Sequence, residues 1–300
     1  MTKPLSGVVS ILVTPFDDDD RLDLPGLARV VEYTVGLGVH GVGIGLASEY
    51  LALSDQECVA VADTMVRTVA GRVPVMMSCG RPSTSATVGL AREIEAQGVD
   101  ALMVLPPYVM GPSARGIEAH YRAVAAAITT PIVVQDAPAL SGVSLAPEVL
   151  ARLVREVEAI QYLKIETVPP APKIGEVARL LHGVPRAETA LIGGGGGLYL
   201  VDELRSGARA TMPGCAYADV FVRIWDRYVA GDLAGARQAL RDALPLLVLC
   251  NQSLAAFIGT QKEWLRRAGL IASSRLRAPA DALSDDVYPA FLTVLDEARR

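Results

Sequence analysis

Short apolar runs recur along the chain. Each ends in Gly, Pro, Ser or Asp and is followed by a segment of helical periodicity. The runs are GVVSILV (7–13), VHGVGIGL (39–46), VPVMMSC (73–79), DALMVL (100–105), PIVVQ (131–135), IQYLKI (160–165), ETALIG (188–193) and ARATM (208–212). Helix-like segments lie between and after them, near 25–38, 54–70, 83–97, 115–129, 146–157, 172–182, 197–206 and 218–230. The runs lack the in–out alternation of a half-exposed strand, so they read as strands covered on both faces. Strands alternating with helices predict a parallel sheet. Eight such units predict an α/β fold of the (β/α)8 TIM-barrel class, and about 230 residues is the right size for one. A doubly wound sheet competes, since the pattern alone does not reveal a reversal of strand order. From about Gly231 the rhythm changes to helix only, through DLAGARQALRDALPLLVLC, SLAAFIGTQKEWLRRAGL and DDVYPAFLTVLDEARR. The expected organisation is a barrel over 1–230 that carries the chemistry and a C-terminal helical extension over 231–300.

Composition narrows the classes. Of 300 residues, 51% are hydrophobic, enough for a large core, and the net charge of −5 argues against a nucleic-acid surface. Four scattered cysteines without a CxxC pair predict reduced thiols and a cytoplasmic setting rather than a disulfide framework. The N-terminal stretch MTKPLSGVVSILVTPF has no long apolar run, so neither a signal peptide nor a membrane span is expected. His40, His120 and His182 are isolated from one another in sequence, and no metal site is expected. The DDDD run at 17–20 lacks the spacing of a calcium loop and reads as a solvated turn.

Barrels of this class place their sites at the C-terminal ends of the strands. The polar residues there are Thr14, Ser48, Glu49, Ser78, Tyr108, Gln135, Asp136, Lys164 and Glu166, with a glycine run, IGGGGG, at 192–197. Lys164 and Glu166 are two apart on one strand. Their side chains share a face, with Cα atoms roughly 6.5 Å apart. A lysine removed from water favours its neutral form, and a neutral amine attacks a ketone to form a Schiff base. A structural ion pair with Glu166 explains the same spacing. The glycine run is open to two readings, a phosphate cradle or a loop that other groups approach closely.

Taken jointly, several motifs resemble the dihydrodipicolinate synthase / N-acetylneuraminate lyase family of class I aldolases. They are TPF after the first strand, GLASE at 45–49 where the family usually has GTTGE, LSDQE at 53–57 and GRVPV at 71–75. LPPY followed by PSARG, PIVVQDAP at 131–138 and the lysine of the sixth strand continue the match. The resemblance implies a barrel with C-terminal helices, assembled as a homotetramer. It also implies a Schiff base between Lys164 and a small-molecule 2-keto acid, with no cofactor. By the same match Ala47 and Ser48 hold the keto-acid carboxylate, and Tyr108 is the tyrosine kept from the family pattern; separately, Gly193 and Gly194 of the glycine run are expected to shape the outer pocket for substrate hydroxyls.

The departures from the family pattern are specific. Gln135 stands where the family has a tyrosine, Val109 replaces a second tyrosine, and Leu46 replaces the first threonine of GTTGE. The synthase's proton relay is therefore missing. Leu140 lies near the place of the arginine that binds the synthase's second substrate, so dihydrodipicolinate synthesis is disfavoured. A K-x-E pair with glutamine in the tyrosine position is similar to the 2-keto-3-deoxyarabonate dehydratase branch, which forms 2-oxoglutarate semialdehyde. The expected activity is thus that of a hydro-lyase. Glu166 takes the C3 proton and assists loss of the C4 hydroxyl, and Gln135 holds a hydroxyl or a water. A pyruvate-releasing retro-aldolase and a non-catalytic keto-acid-binding barrel are the alternatives.

Overall fold

The structure, a computed structural model, describes residues 3–109, 111–184, 191–280 and 287–299. The apolar runs form eight parallel strands: β1 (Gly7–Ile11), β2 (Gly41–Ile44), β3 (Val75–Ser78), β4 (Ala101–Val104), β5 (Ile132–Asp136), β6 (Ile160–Ile165), β7 (Leu191–Gly193) and β8 (Ala210–Thr211). β8 pairs with β1 as well as with β7, so the sheet closes into a barrel, which excludes the doubly wound alternative. Within the expected seventh run, residues 188–190 lie outside the described residues. Among the strand residues only Gln161 is not buried, the physical basis of the uninterrupted apolar runs.

The helices between strands are α1 (Leu24–Gly36), α2 (Asp55–Val69), α3 (Thr84–Glu95), α4 (Ala114–Ala125), α5 (Pro138–Ser141), α6 (Pro147–Glu156), α7 (Pro170–Leu180) and α8 (Leu200–Arg205), and α9 (Ala218–Val229) follows β8. Side chains of Asp23, Ser54, Ser83 and Ser113 accept from the first free N–H groups of α1 to α4. Proline opens α6 and α7, where its missing N–H costs nothing. Two cores result. Val9, Ile11, Met76, Met103, Ile192 and Met212 help fill the barrel, and a larger cluster lies between strands and helices.

Three further helices complete the chain: α10 (Leu233–Cys250), α11 (Leu254–Arg267) and α12 (Val287–Arg299); residues 285, 286 and 300 of the expected last helix are outside the described residues. α10 packs on α9 and α12, and α11 turns away from it at 107°. Among the described residues no single helix is long and apolar enough to cross a membrane. Two polar residues of α11 are driven into the barrel's end. The Gln261 Oε1 accepts from the N–H groups of Cys215 (2.7 Å) and Ala216 (3.3 Å). Lys262, fully buried, pairs with Glu49 and donates to the Arg275 carbonyl at 2.8 Å. Glu49 has a left-handed backbone (φ 57°), so this pair also holds a strained residue in place.

Lys262→Met leaves the Glu49 carboxylate buried without its cation. It should cost about 3–5 kcal/mol, read as a lower urea midpoint. Adding Glu49→Gln removes the stranded charge and should recover part of that loss, as a double-mutant cycle would measure.

Candidate active site

β6 turns Tyr162, Lys164 and the residue just past its end, Glu166, toward the barrel axis, because alternate residues share a face. Lys164 is 5% exposed, and its Nζ lies 3.1 Å from Glu166 Oε1. On the neighbouring strand Gln135 is in register with Lys164. Its Nε2 donates to the other carboxylate oxygen, Glu166 Oε2, at 2.7 Å. The Gly195 N–H donates to Oε1 at 3.2 Å. The Glu166 backbone is tied by its N–H to the Asp136 carbonyl at 2.9 Å. Both oxygens of the carboxylate are therefore held, one by an amide and one by an ammonium and a peptide N–H. Burial alone would raise the Glu166 pKa, but Lys164, Gln135 and the Gly195 N–H outweigh it and keep the carboxyl below its ordinary value.

These groups line one side of a cavity of about 190 Å3 at the strands' C-terminal ends. That is below the roughly 300–1,000 Å3 typical of sites for drug-sized ligands, and it suits a small metabolite. Its floor includes Ile11 and Met212 from the barrel interior, and its wall includes Gly45, Leu46 and Ala47. Among the described residues its only titratable side chains are Lys164 and Glu166. Nor do the described residues bring three or more His, Cys, Asp or Glu together as a metal site.

The other expected site residues divide. Ala47 lines the cavity, but Ser48 does not. The Ser48 hydroxyl donates to the Leu12 carbonyl (2.5 Å) and accepts from the Gly45 N–H (3.1 Å), and its own N–H donates to the Gly45 carbonyl (2.9 Å). Thr14 donates to the Ser48 carbonyl at 2.6 Å. Both hydroxyls thus brace the 45–49 loop instead of facing a ligand. Asp136 is fully buried, accepts from the Leu145 N–H and pairs with Lys173 at 2.5 Å, a structural role. Tyr108 is half-buried outside the cavity. Burial pushes its hydroxyl pKa up, with Arg81 opposing, and Arg81 itself lies over the Tyr50 ring and pairs with Asp55.

The glycine run is displaced by two residues from expectation: Gly195 and Gly196 line the cavity, and Gly193 and Gly194 do not. A Cβ on Gly194 would strike the Glu166 carboxylate, and one on Gly193 would strike the carboxyl of Glu203. The Gly194 and Gly195 N–H groups are already directed at those two carboxyls. The run is therefore a close-approach loop, and a phosphate there would compete with two acids.

Residues missed from sequence come from the extension. Asn251, Ser253, Leu254 and Phe257, at the α10–α11 turn and the start of α11, form the outer rim with Leu140 of α5. The polar NQS break between two helices was the available signal.

The dihydrodipicolinate synthetase family model matches residues 4–298. The L-2-keto-3-deoxyarabonate dehydratase of Azospirillum brasilense is 35% identical over 300 residues, covering 96% of this chain and 93% of that protein. The 4-hydroxy-tetrahydrodipicolinate synthase of Bartonella quintana (strain Toulouse) is 35% identical over 175 residues, 58% of each chain. The crystal structure of dihydrodipicolinate synthase from Rhodopseudomonas palustris superposes with a TM-score of 0.89 at 28% identity, covering 99% of both chains.

Proposed function

The chain belongs to the dihydrodipicolinate synthetase family, and from that membership we propose that it is a Schiff-base hydro-lyase acting on 2-keto-3-deoxy-L-arabonate. The observation that carries this reading is the Glu166 carboxylate, fixed by Gln135 and Gly195 at 3.1 Å from the Lys164 amine. The similarity to a dehydratase over nearly the whole chain supports it.

In this reading Lys164 passes a proton to Glu166, its neutral amine attacks the C2 ketone, and the proton returns to the C2 hydroxyl, which leaves as water to give an iminium. The iminium acidifies the C3 protons, and Glu166 takes one to form the enamine. The enamine electron pair then expels the C4 hydroxyl, which departs as water with the proton held by Glu166. Loss of a C5 proton and protonation at C3 leave a C4–C5 enol. Its tautomerisation makes the C5 aldehyde, and hydrolysis of the iminium returns Lys164. The iminium's positive charge is permanent while it lasts, and the adjacent carboxylate stabilises it. The N–H groups of Leu46 and Ala47 offer the substrate carboxylate donors that need no cation.

Retro-aldol cleavage begins from the same iminium but removes the C4 hydroxyl proton. A phenol suits that step, and none of the described residues lining the cavity has one. Leu140 at the rim gives no charge to a second substrate's carboxylate, against a synthase role. Mass analysis of products from 2-keto-3-deoxy-L-arabonate tests the proposal. A five-carbon product lighter by one water is expected. Pyruvate with glycolaldehyde would establish the retro-aldolase instead, and a borohydride-trapped adduct without product would leave a binding barrel.

A further inference from the structure

On the far side of the glycine turn from Glu166 lies a second carboxyl. Glu203 of α8 is 1% exposed. Its Oε1 accepts from the Gly194 N–H at 3.3 Å, and its Oε2 has no hydrogen-bond partner among the described residues. The absence of a Cβ on Gly193 makes the room it occupies. One residue on, the Gly195 N–H donates to Glu166. The turn is thus gripped between two carboxyls, on successive N–H groups and from opposite faces.

An ionised carboxylate with one oxygen buried and unpaired is far more costly than a neutral acid in the same place. Burial pushes the Glu203 carboxyl up to about 8; the Gly194 N–H opposes this, and Glu166 adds to the rise. The charges acting on it are Lys164 of β6, Glu166 just past the end of that strand, and Asp202 from its own helix. α7 and α10, which also pack on α8, bury apolar residues such as Ile174, Val177 and Ala243. Their Glu176, Arg179, Arg241 and Asp242 are exposed.

We propose that Glu203 is a positioning residue: a neutral carboxylic acid that clamps the Gly193–Gly195 turn from behind and so fixes Glu166 against Lys164. Glu203 has this role only if Lys164 and Glu166 act as described under Proposed function. Above its pKa a second negative charge would stand behind the Glu166 carboxylate, loosening the turn and raising the basicity of Glu166.

The test compares wild type with Glu203→Gln, which keeps the acceptor and the neutral charge, and Glu203→Ala, which removes both. Between the ordinary carboxyl value of 4.5 and about 8 the unfolded chain is ionised while the folded chain keeps its proton. Wild type therefore loses stability as pH rises through that window, and glutamine does not. The melting-temperature advantage of E203Q should grow from pH 5 to pH 8 and then level off. For turnover of 2-keto-3-deoxy-L-arabonate, the wild-type fall in kcat above about pH 8 should be weakened or absent in E203Q. Lys262, which burial lowers to about 8 against the pull of Glu49, titrates in the same range, so only the difference between the two proteins counts. E203A should lower kcat about tenfold or more with KM little changed, and E203Q should restore most of it.

A pH-independent stability difference, identical alkaline limbs, or an E203Q as impaired as E203A overturns the assignment. Borohydride trapping of wild type with pyruvate separates the two failures. No adduct at Lys164 removes the Schiff-base reading and the role of Glu203 with it. An adduct alongside failed pH comparisons removes Glu203 alone.

Discussion

Borohydride reduction in the presence of pyruvate should fix a pyruvate-derived group on the peptide containing Lys164 in the wild-type protein and on no peptide in Lys164→Ala or Lys164→Arg. Turnover should fall on the order of 10^4–10^6-fold in both, as it does when an enzyme loses its covalent nucleophile. The two substitutions separate chemistry from electrostatics. Alanine removes the amine and also the cation 3.1 Å from Glu166, leaving that carboxylate with Gln135 and the Gly195 N–H. Arginine keeps a positive charge in the barrel but supplies no nucleophile, since its guanidinium stays protonated. A structural lysine would give a different pattern: arginine would rescue and alanine would not. Equal inactivity of the two, with a melting temperature nearer wild type for arginine, places the covalent bond at Lys164. Trapping at another lysine would end the Schiff-base assignment of this residue.

The architecture was legible because each strand–helix unit carries its own local signal. Strands covered on both faces leave unbroken apolar runs, and helices open with Ser, Asp or Pro at the turn, so eight repeats announce themselves. The K-x-E spacing was legible for the same reason, since a period of two fixes a shared face. Local pattern could not show what a side chain does once the loop has folded. Ser48 looked like a ligand for a carboxylate, yet its hydroxyl is consumed by the Leu12 carbonyl and the Gly45 N–H, within a three-residue turn too short to have a period. Glu203, within VDELR, carries no local signal that sets it apart, yet α8 presses it into the space left by Gly193. The contacts that tie the C-terminal extension to the barrel are long in range. Glu49 meets Lys262 and Arg277 across more than two hundred residues, and no window along the chain spans them. The rim residues Asn251 and Phe257 were missed for that reason: the extension read as packing, and its part in the cavity depends on the bend between α10 and α11.

Glu166→Gln should keep the covalent adduct and lose the proton chemistry. The amide nearly matches the carboxylate in shape, and its oxygen can still accept from Gln135 or from the Gly195 N–H. Iminium formation at Lys164 should therefore persist. Removal of the C3 proton should not, because an amide is no base at neutral pH; loss of a positioned general base costs roughly 10^2–10^4-fold. Pyruvate in deuterated water isolates this step, since its methyl carbon is the C3 position and exchange needs neither a C4 hydroxyl nor dehydration. Wild type should exchange those protons for deuterium by NMR, and E166Q should exchange them slower by that factor while trapping normally. Wild-type exchange in E166Q would show that another group takes the proton, leaving Glu166 a counter-ion. The acid limb supplies an independent check. Because Lys164, Gln135 and the Gly195 N–H outweigh burial, the Glu166 carboxyl lies below its ordinary 4.5, so the base form persists to lower pH than in a free carboxylate. Exchange by wild type should fall only below that value, as Glu166 protonates, and the residual exchange in E166Q should lack this limb. Linkage gives the same group a stability signature of matching sign: with its folded pKa depressed, Glu166 contributes stability above the unfolded value and loses it as pH falls through the folded one. A catalytic fall and a stability loss that coincide at low pH, both removed by the one substitution, would tie the base to the residue that Gln135 holds.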